Sequence, residues 1–211
     1  MKTISRPPLI EALGARLPGQ LALNGLIWEQ GLHKVPASHG IPDTVLLRML
    51  AGLEPLAMGA IRWNGLDVWQ MNADEISARR LRYPFVPRAG GLLPHMTLAD
   101  NAALPLIYHT REPRERVEHR VGELFERFGV SEWAEKIPGD VPLAIRRRTS
   151  LARSLTSTPS VIFLEAPFEG DPDLWKPLES IRTEFDFSVL LTGEVPAETP
   201  LTGTLEWTEQ P

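Results

Sequence analysis

The chain has 211 residues, 43% of them apolar, which is enough for one domain with a proper core; it has no cysteine, which excludes disulfides, thiolate metal sites and cysteine nucleophiles. Its formal net charge of −5 leaves no overall basic field to recruit nucleic acid. The N-terminal stretch MKTISRPPLIEALG lacks an apolar signal core, and no uninterrupted apolar run reaches the roughly 18 residues that span a bilayer, so the reading is a cytoplasmic protein without direct membrane insertion.

Taken in chain order, short β-favouring runs alternate with helical patterns, which predicts an α/β domain on a mainly parallel sheet. Residues 35–52, VPASHGIPDTVLLRMLAG, read as a loop followed by a helix over 44–52, with Gly52 as its C-terminal stop. AIRW (60–63) reads as a strand and DEISARR (74–80) as a second helix. Between 97 and 136 the texture is helical. Thr97 with Asp100 resembles a capping box, and Val117, Val121, Leu124, Phe125 and Phe128 fall on one helix face, as core residues do. VIFL (161–164) and SVLLT (188–192) read as buried strands, and GTLEWTEQ (203–210) as a last strand. The 20 prolines are scattered, so they mark turns.

The loop at 37–44 has the shape of a phosphate-binding loop, G-x-x-x-x-G-K-[ST], without its chemistry. Its register is Ala37, Ser38, His39, Gly40, Ile41, Pro42, Asp43, Thr44, so only the threonine matches. Pro42 removes an N–H that a phosphate cradle needs, and Asp43 reverses the charge of the lysine. Two like charges about 4 Å apart repel by on the order of 4 kcal/mol at an effective dielectric near 20. No register shift restores the motif, because no lysine lies between Lys34 and Lys136. Proline at the first helical position followed by a carboxylate instead predicts a self-capped helix start, with the Asp43 carboxylate standing where a phosphate would.

Five further segments extend the pattern: LLRMLAGLEPLAMGAIRWNGLDV (46–68), GLLPHMTLADNAALPL (91–106), RRRTSLARSL (146–155), VIFLEAPFEGDPD (161–173) and VLLTGE (189–194). In order and spacing the chain resembles an ABC-transporter ATPase (nucleotide-binding) subunit along essentially its whole length. LPHMTLADNAALPLIYHT and EAPFEGDP are most similar to the ATPase subunits of Mla-type lipid-transport systems. The resemblance implies a P-loop NTPase fold: an ABC ATPase-like core with a mainly parallel sheet, N-terminal antiparallel strands and a helical subdomain. It implies a single domain over 1–211, with the helical subdomain at about 89–150 inserted in the core.

The same resemblance assigns each active-site position, and most of them depart from the family pattern. The glutamine of the Q-loop falls at Arg88, the LSGGQ signature at VPLAI (141–145), and the switch histidine at Gly193. The Walker B aspartate becomes Glu165 and the catalytic glutamate Ala166, while no Phe, Tyr or Trp precedes Trp28 to stack on a base. Phosphoryl transfer depends on positioned charges and hydrogen bonds, nearly all of which are gone. The expectation is therefore a catalytically inactive subunit with no catalytic residues, no metal and no cofactor, acting as a structural or regulatory partner in lipid transport. Its implied partners are a transporter permease or another ABC ATPase subunit, in a homodimer or heterodimer held peripherally at the inner membrane. Arg88, Leu92, His95 and Met96, beside the groove that receives a permease's coupling helix, are the candidate docking residues.

Two alternatives stay open: an atypical ATPase holding Mg²⁺-ATP through Glu165, Thr44 and the helix N-terminus, and a free-standing interaction protein on the same fold. Among the other charged residues, Arg146, Arg147 and Arg148 read as solvated or salt-bridged, and Glu169, Asp171 and Asp173 as a solvated turn. The histidines at 33, 39, 109 and 119 lack metal-ligand spacing.

Overall fold

The computed structural model describes residues 8–27 and 29–209, so Trp28 and Gln210 lie outside the described residues. The first half contains β1 (Ile10–Arg16), β2 (Leu23–Ile27), β3 (Leu32–Lys34), α1 (Asp43–Leu50), β4 (Met58–Trp63), β5 (Leu66–Asp67), α2 (Ala73–Arg80) and β6 (Phe85–Val86). The second contains α3 (Leu98–His109), α4 (Arg114–Phe128), α5 (Leu143–Leu155), β7 (Val161–Leu164), α6 (Trp175–Phe185), β8 (Ser188–Leu191), β9 (Gly203–Thr204) and β10 (Thr208–Glu209).

Two sheets form. One is antiparallel, in the order β10-β2-β1-β4-β5; the other is parallel, in the order β6-β7-β8-β3-β9. The parallel strands are buried on both sides, and their side chains divide with period two. Val161, Phe163 and Leu190 point into the core shared with the antiparallel sheet and α1, whereas Ile162, Leu164, Val189 and Leu191 point into the core shared with α3 to α6. The helices of the middle of the chain therefore close one face of the parallel sheet. The predicted apolar face of α4 is fully part of that core.

Local signals in the sequence hold where hydrogen bonds complete them. α1 ends as predicted: Gly52 has φ 61°, its N–H reaches Met49 O, and Leu53 N–H reaches Arg48 O at 2.9 Å, which is a Schellman motif. A Cβ on Gly52 would stand 2.5 Å from Val68 Cγ1, so only glycine fits. Asn64 and Gly65, both at positive φ, make the two-residue hairpin turn between β4 and β5. At α3 the capping box is only half formed: Thr97 Oγ1 accepts Asp100 N–H at 3.0 Å, but donates its own proton to the Asp100 carboxylate. The complete box sits at α2, where Asn72 and Glu75 cap one another, a residue before the predicted start.

The last segment corrects the single-strand prediction. Gly203–Thr204 pairs with β3 in the parallel sheet, and Thr208–Glu209 pairs with β2 in the antiparallel one. Between them Leu205 is buried in the inter-sheet core, so the chain crosses from one sheet to the other. An unannounced cluster fills the far side of that core. Trp63 is fully buried, stacks on Tyr83 at 4.6 Å and donates to Leu50 O, while Arg80 lies over its ring and binds the carbonyls of Ala51 and Gly52. Together they satisfy the open carbonyl end of α1.

Candidate functional site

Doubly wound sheets place their sites beyond the carboxyl ends of the strands. Here the ends of β3, β7 and β8 open onto a cleft of about 730 Å³, lined among others by Asp43, Thr44, Arg88, Ala166, Glu169, Gly193 and Glu194. The loop after β3 enters it folded on itself. Ser38 and Ile41 exchange two backbone hydrogen bonds, of 3.1 and 2.8 Å, across His39 and Gly40, both at positive φ. That is the geometry of a type I′ turn, and it turns two loop N–H groups inward. The turn is pinned from outside: His39 Nδ1 lies 2.8 Å from a Glu209 oxygen, and Trp207 Nε1–H donates to Pro36 O.

Pro42 is not the first helical residue. With ψ 146° it stands at the N-cap, its carbonyl accepting Leu46 N–H, and Asp43 is the first residue of α1. The Asp43 carboxylate accepts the Thr44 N–H at 2.8 Å and the Gly193 N–H at 3.0 Å. The second bond ties the start of α1 to the end of β8. Gly193 (φ 83°) is in turn packed on Ala166; a Cβ built on Gly193 would lie 3.1 Å from that of Ala166. Ala166, itself at φ 44°, donates its N–H to Thr192 Oγ1. Residues 43, 166 and 193 thus form a continuous contact in which a Cβ at position 193 would press on Ala166.

Charge around the cleft is mostly negative. Asp43, Glu169 and Glu194 line it against the single guanidinium of Arg88. Arg88 forms an ion pair with Glu169, whose hydrogen bond holds the Glu169 carboxyl below the usual carboxylate range and raises the arginine above its own. Arg88 also gives its backbone N–H to Glu165 at 2.9 Å.

Beneath the cleft, Arg147 bears out the salt-bridged alternative of the arginine cluster and not the solvated one: it is 2% exposed, donates to the carbonyls of Arg88 and Glu169, and pairs with the Glu169 carboxylate. Arg148 pairs with Asp171 at 2.7 Å, and Asp171 is buried instead of solvated. On a helix three consecutive residues spread over different faces, which is why Arg147 is buried while Arg146 and Arg148 on either side of it are half-buried.

These observations agree with the matches to known proteins. The ABC transporter family profile covers residues 40–169.

The chain belongs to the ABC transporter family.

It is 30% identical over 154 residues to the methionine import ATP-binding protein MetN 1 of Pseudomonas syringae pv. syringae, and 29% identical over 167 residues to the probable ribonucleotide transport ATP-binding protein mkl of Mycobacterium leprae. Those alignments cover 72% and 75% of this chain but only 46% of each relative, so the chain spans about half the length of the curated relatives it matches. Among solved structures, cbiO1 from Clostridium perfringens superposes with a TM-score of 0.75 at 14% identity, covering 92% of this chain and 81% of that one. The dimeric MJ0796 cassette bound to ADP and Pi superposes at 0.74 with 17% identity, covering 88% of both chains. The fold is that of an ABC ATPase.

The candidate docking residues lie in the connection between β6 and α3. Leu92 is half-buried against the core beside α3, His95 is exposed and Met96 partly so, while the Arg88 guanidinium is engaged by Glu169. One buried residue that no motif signalled organises this segment. Asn101 is fully buried; its Oδ1 accepts Leu93 N–H at 2.7 Å, and its Nδ2 contacts the carbonyls of Leu93, Met96 and Thr97 at 3.0 to 3.2 Å. An asparagine three residues into an amphipathic helix reads as a surface residue, which is why sequence reasoning passed over it.

Proposed function

We propose that this ABC-family chain is a subunit that does not hydrolyse ATP and acts as a structural or regulatory partner of a membrane transporter. The observation that carries the reading is the hydrogen bond from Gly193 N–H to the Asp43 carboxylate, because it directly joins the two positions that the family resemblance assigns to the phosphate-loop lysine and the switch histidine. The residues present do not fit a Mg²⁺-nucleotide. The loop N–H groups of Ser38 and Ile41 are bonded within the turn, three carboxylates line the cleft, and Ala166 has no group to orient an attacking water. A polyphosphate there would meet repulsion of on the order of 4 kcal/mol per close carboxylate.

In this reading the subunit sits at the inner membrane through a permease or a second ATPase subunit, and the displayed segment around His95 and Met96 is part of the docking surface. The named relatives serve methionine import and ribonucleotide transport; the lipid cargo proposed for this chain rests on the Mla-like residues 93–110 and 165–172. Isothermal calorimetry with Mg-ATP is the direct test. No binding heat up to millimolar nucleotide is the expected result, and sub-millimolar affinity overturns the reading.

A further inference from the structure

A buried cation lies under the cleft where two loops meet. One loop follows β6 and runs through residues 87–91 towards the exposed segment 92–97; the other follows β7 and turns through residues 165–171. The last backbone hydrogen bond between them runs from Glu165 N–H to Val86 O at 3.0 Å. Beyond it, among the described residues, the hydrogen bonds that join the two loops are made by side chains.

Arg147 supplies most of them from α5. Its Nε–H donates to Arg88 O at 2.7 Å, one terminal N–H donates to Glu169 O, and the other terminal nitrogen lies 3.2 Å from the Glu169 carboxylate. One planar fork thus holds both loops at once, which the point charge of a lysine cannot do in the same geometry. Glu165 adds a bond in the other direction, its carboxylate accepting the Arg88 N–H at 2.9 Å. Further along α5, Arg153 donates to Gly91 O at 3.0 Å, and Gly90, at φ 86°, packs so closely that a Cβ there would stand 3.1 Å from that of Arg146. The stretch 88–91 is therefore fastened at both ends by residues outside it.

The charges around Arg147 make that fastening hard to undo. Arg147 is 2% exposed, and Glu169 is the one carboxylate within ion-pair distance of it among the described residues. Glu169 itself is exposed and is shared with the Arg88 guanidinium. A buried charge stripped of its counter-ion is strongly unfavourable, so moving Glu169 away from Arg147 costs far more than parting two surface charges.

We infer that Arg147 is an internal clamp: with Glu169 as counter-ion, it fixes the loop after β6 against the turn after β7, so that the mouth of the cleft and the start of segment 92–97 hold one conformation without a ligand. A ligand can move such loops only by binding two arrangements with different affinity, and a clamp made of the chain's own residues removes the second arrangement. This inference rests on the non-hydrolysing reading above and adds how the subunit keeps its shape without nucleotide.

The chain has no cysteine, so spin labels attach only where cysteines are introduced. Ala89→Cys and Asp173→Cys place them at exposed positions on the first loop and just beyond the second, and the urea midpoint should stay that of the parent. Electron–electron distance measurements on the labelled whole chain are expected to give one narrow distribution, the same with and without millimolar Mg-ATP. It should stay narrow as salt rises from about 50 to about 300 mM, because screening reaches the exposed Arg88 pair and not the buried Arg147. Arg147→Met is expected to broaden the distribution and to speed amide exchange at Arg88 about tenfold relative to the amides of β7, a local loosening that a general loss of stability would not produce. Glu169→Gln, at an exposed position, is expected to broaden it too and decides the matter if Arg147→Met does not fold. A narrow distribution in the folded variants, or broadening of the parent by salt alone, overturns the clamp. If Mg-ATP shifts the parent's distance, the functional reading is lost whatever the variants show; if Mg-ATP has no effect and the variants stay narrow, the clamp alone is lost.

Discussion

Two loops that lead into helices are built in opposite ways. Before α1, residues 38–41 turn back on their own backbone, Asp43 spends its carboxylate on two N–H groups, and Gly193 seals the end. Before α3, residues 93–97 are held out to solvent by Asn101, whose buried amide takes one N–H and contacts three carbonyls while His95 stays exposed. One loop satisfies its polar groups by closing; the other has them satisfied from below and remains displayed.

The largest break in that contrast comes from Asn101→Ala, which takes the side-chain partner from the Leu93 N–H and the Met96 carbonyl and leaves a void at a fully buried position. A loss of about 3 kcal/mol is expected in urea denaturation, with faster amide exchange at Leu93; a loss below about 1 kcal/mol would mean the loop is not held by this amide. Gly193→His, which places a histidine where the family resemblance puts the switch histidine, is expected to cost about 2 kcal/mol. Its Cβ adds strain at φ 83° and meets Ala166 at 3.1 Å, and thermal unfolding should show the loss with no ATPase activity gained. Asp43→Ala removes a first-turn carboxylate and the partner of Gly193, for about 1 kcal/mol in the same assay, and unchanged stability would deny that this bond holds the start of α1 to the end of β8.

The smallest effect is a titration on β3, just before the closed loop. His33 is buried, its Nε2–H donates to Glu29 O at 3.0 Å, and burial lowers its pKa from 6.5. The unfolded chain therefore binds the proton more readily between the lowered value and 6.5, so stability is fully present above 6.5 and falls as pH drops toward the lowered value. Urea midpoints measured across that interval should lose this slope in His33→Gln.

Legibility differed by the kind of signal. The α1 stop at Gly52, the strands at 161 and 188 and the buried face of α4 were all readable, because each is a local rule written in adjacent residues. The N-terminal antiparallel strands β1 and β2 were expected only through the family resemblance and not from their own residues, since IEALGAR and LNGLI are short and carry their meaning in pairing with partners elsewhere in the sequence. The arginine run misled in part for the same reason. Nothing in RRR says that Arg147 will lie under Arg88 and Glu169, which approach it only when α5 packs on β6 and β7.

By itself the sequence determined the family scaffold and the residue identities Asp43, Ala166 and Gly193, since periodicity, caps and residue identity are properties of the chain. Only the tertiary structure decided what those residues touch. Whether Asp43 would face solvent or bond Gly193, whether Asn101 would be exposed or hold a loop, and whether Arg147 would be solvated or join two loops all depend on groups brought together from distant positions. Hydrogen bonds and charge–charge contacts act over a few ångströms, and only the packed sheets and helices set which groups come that close.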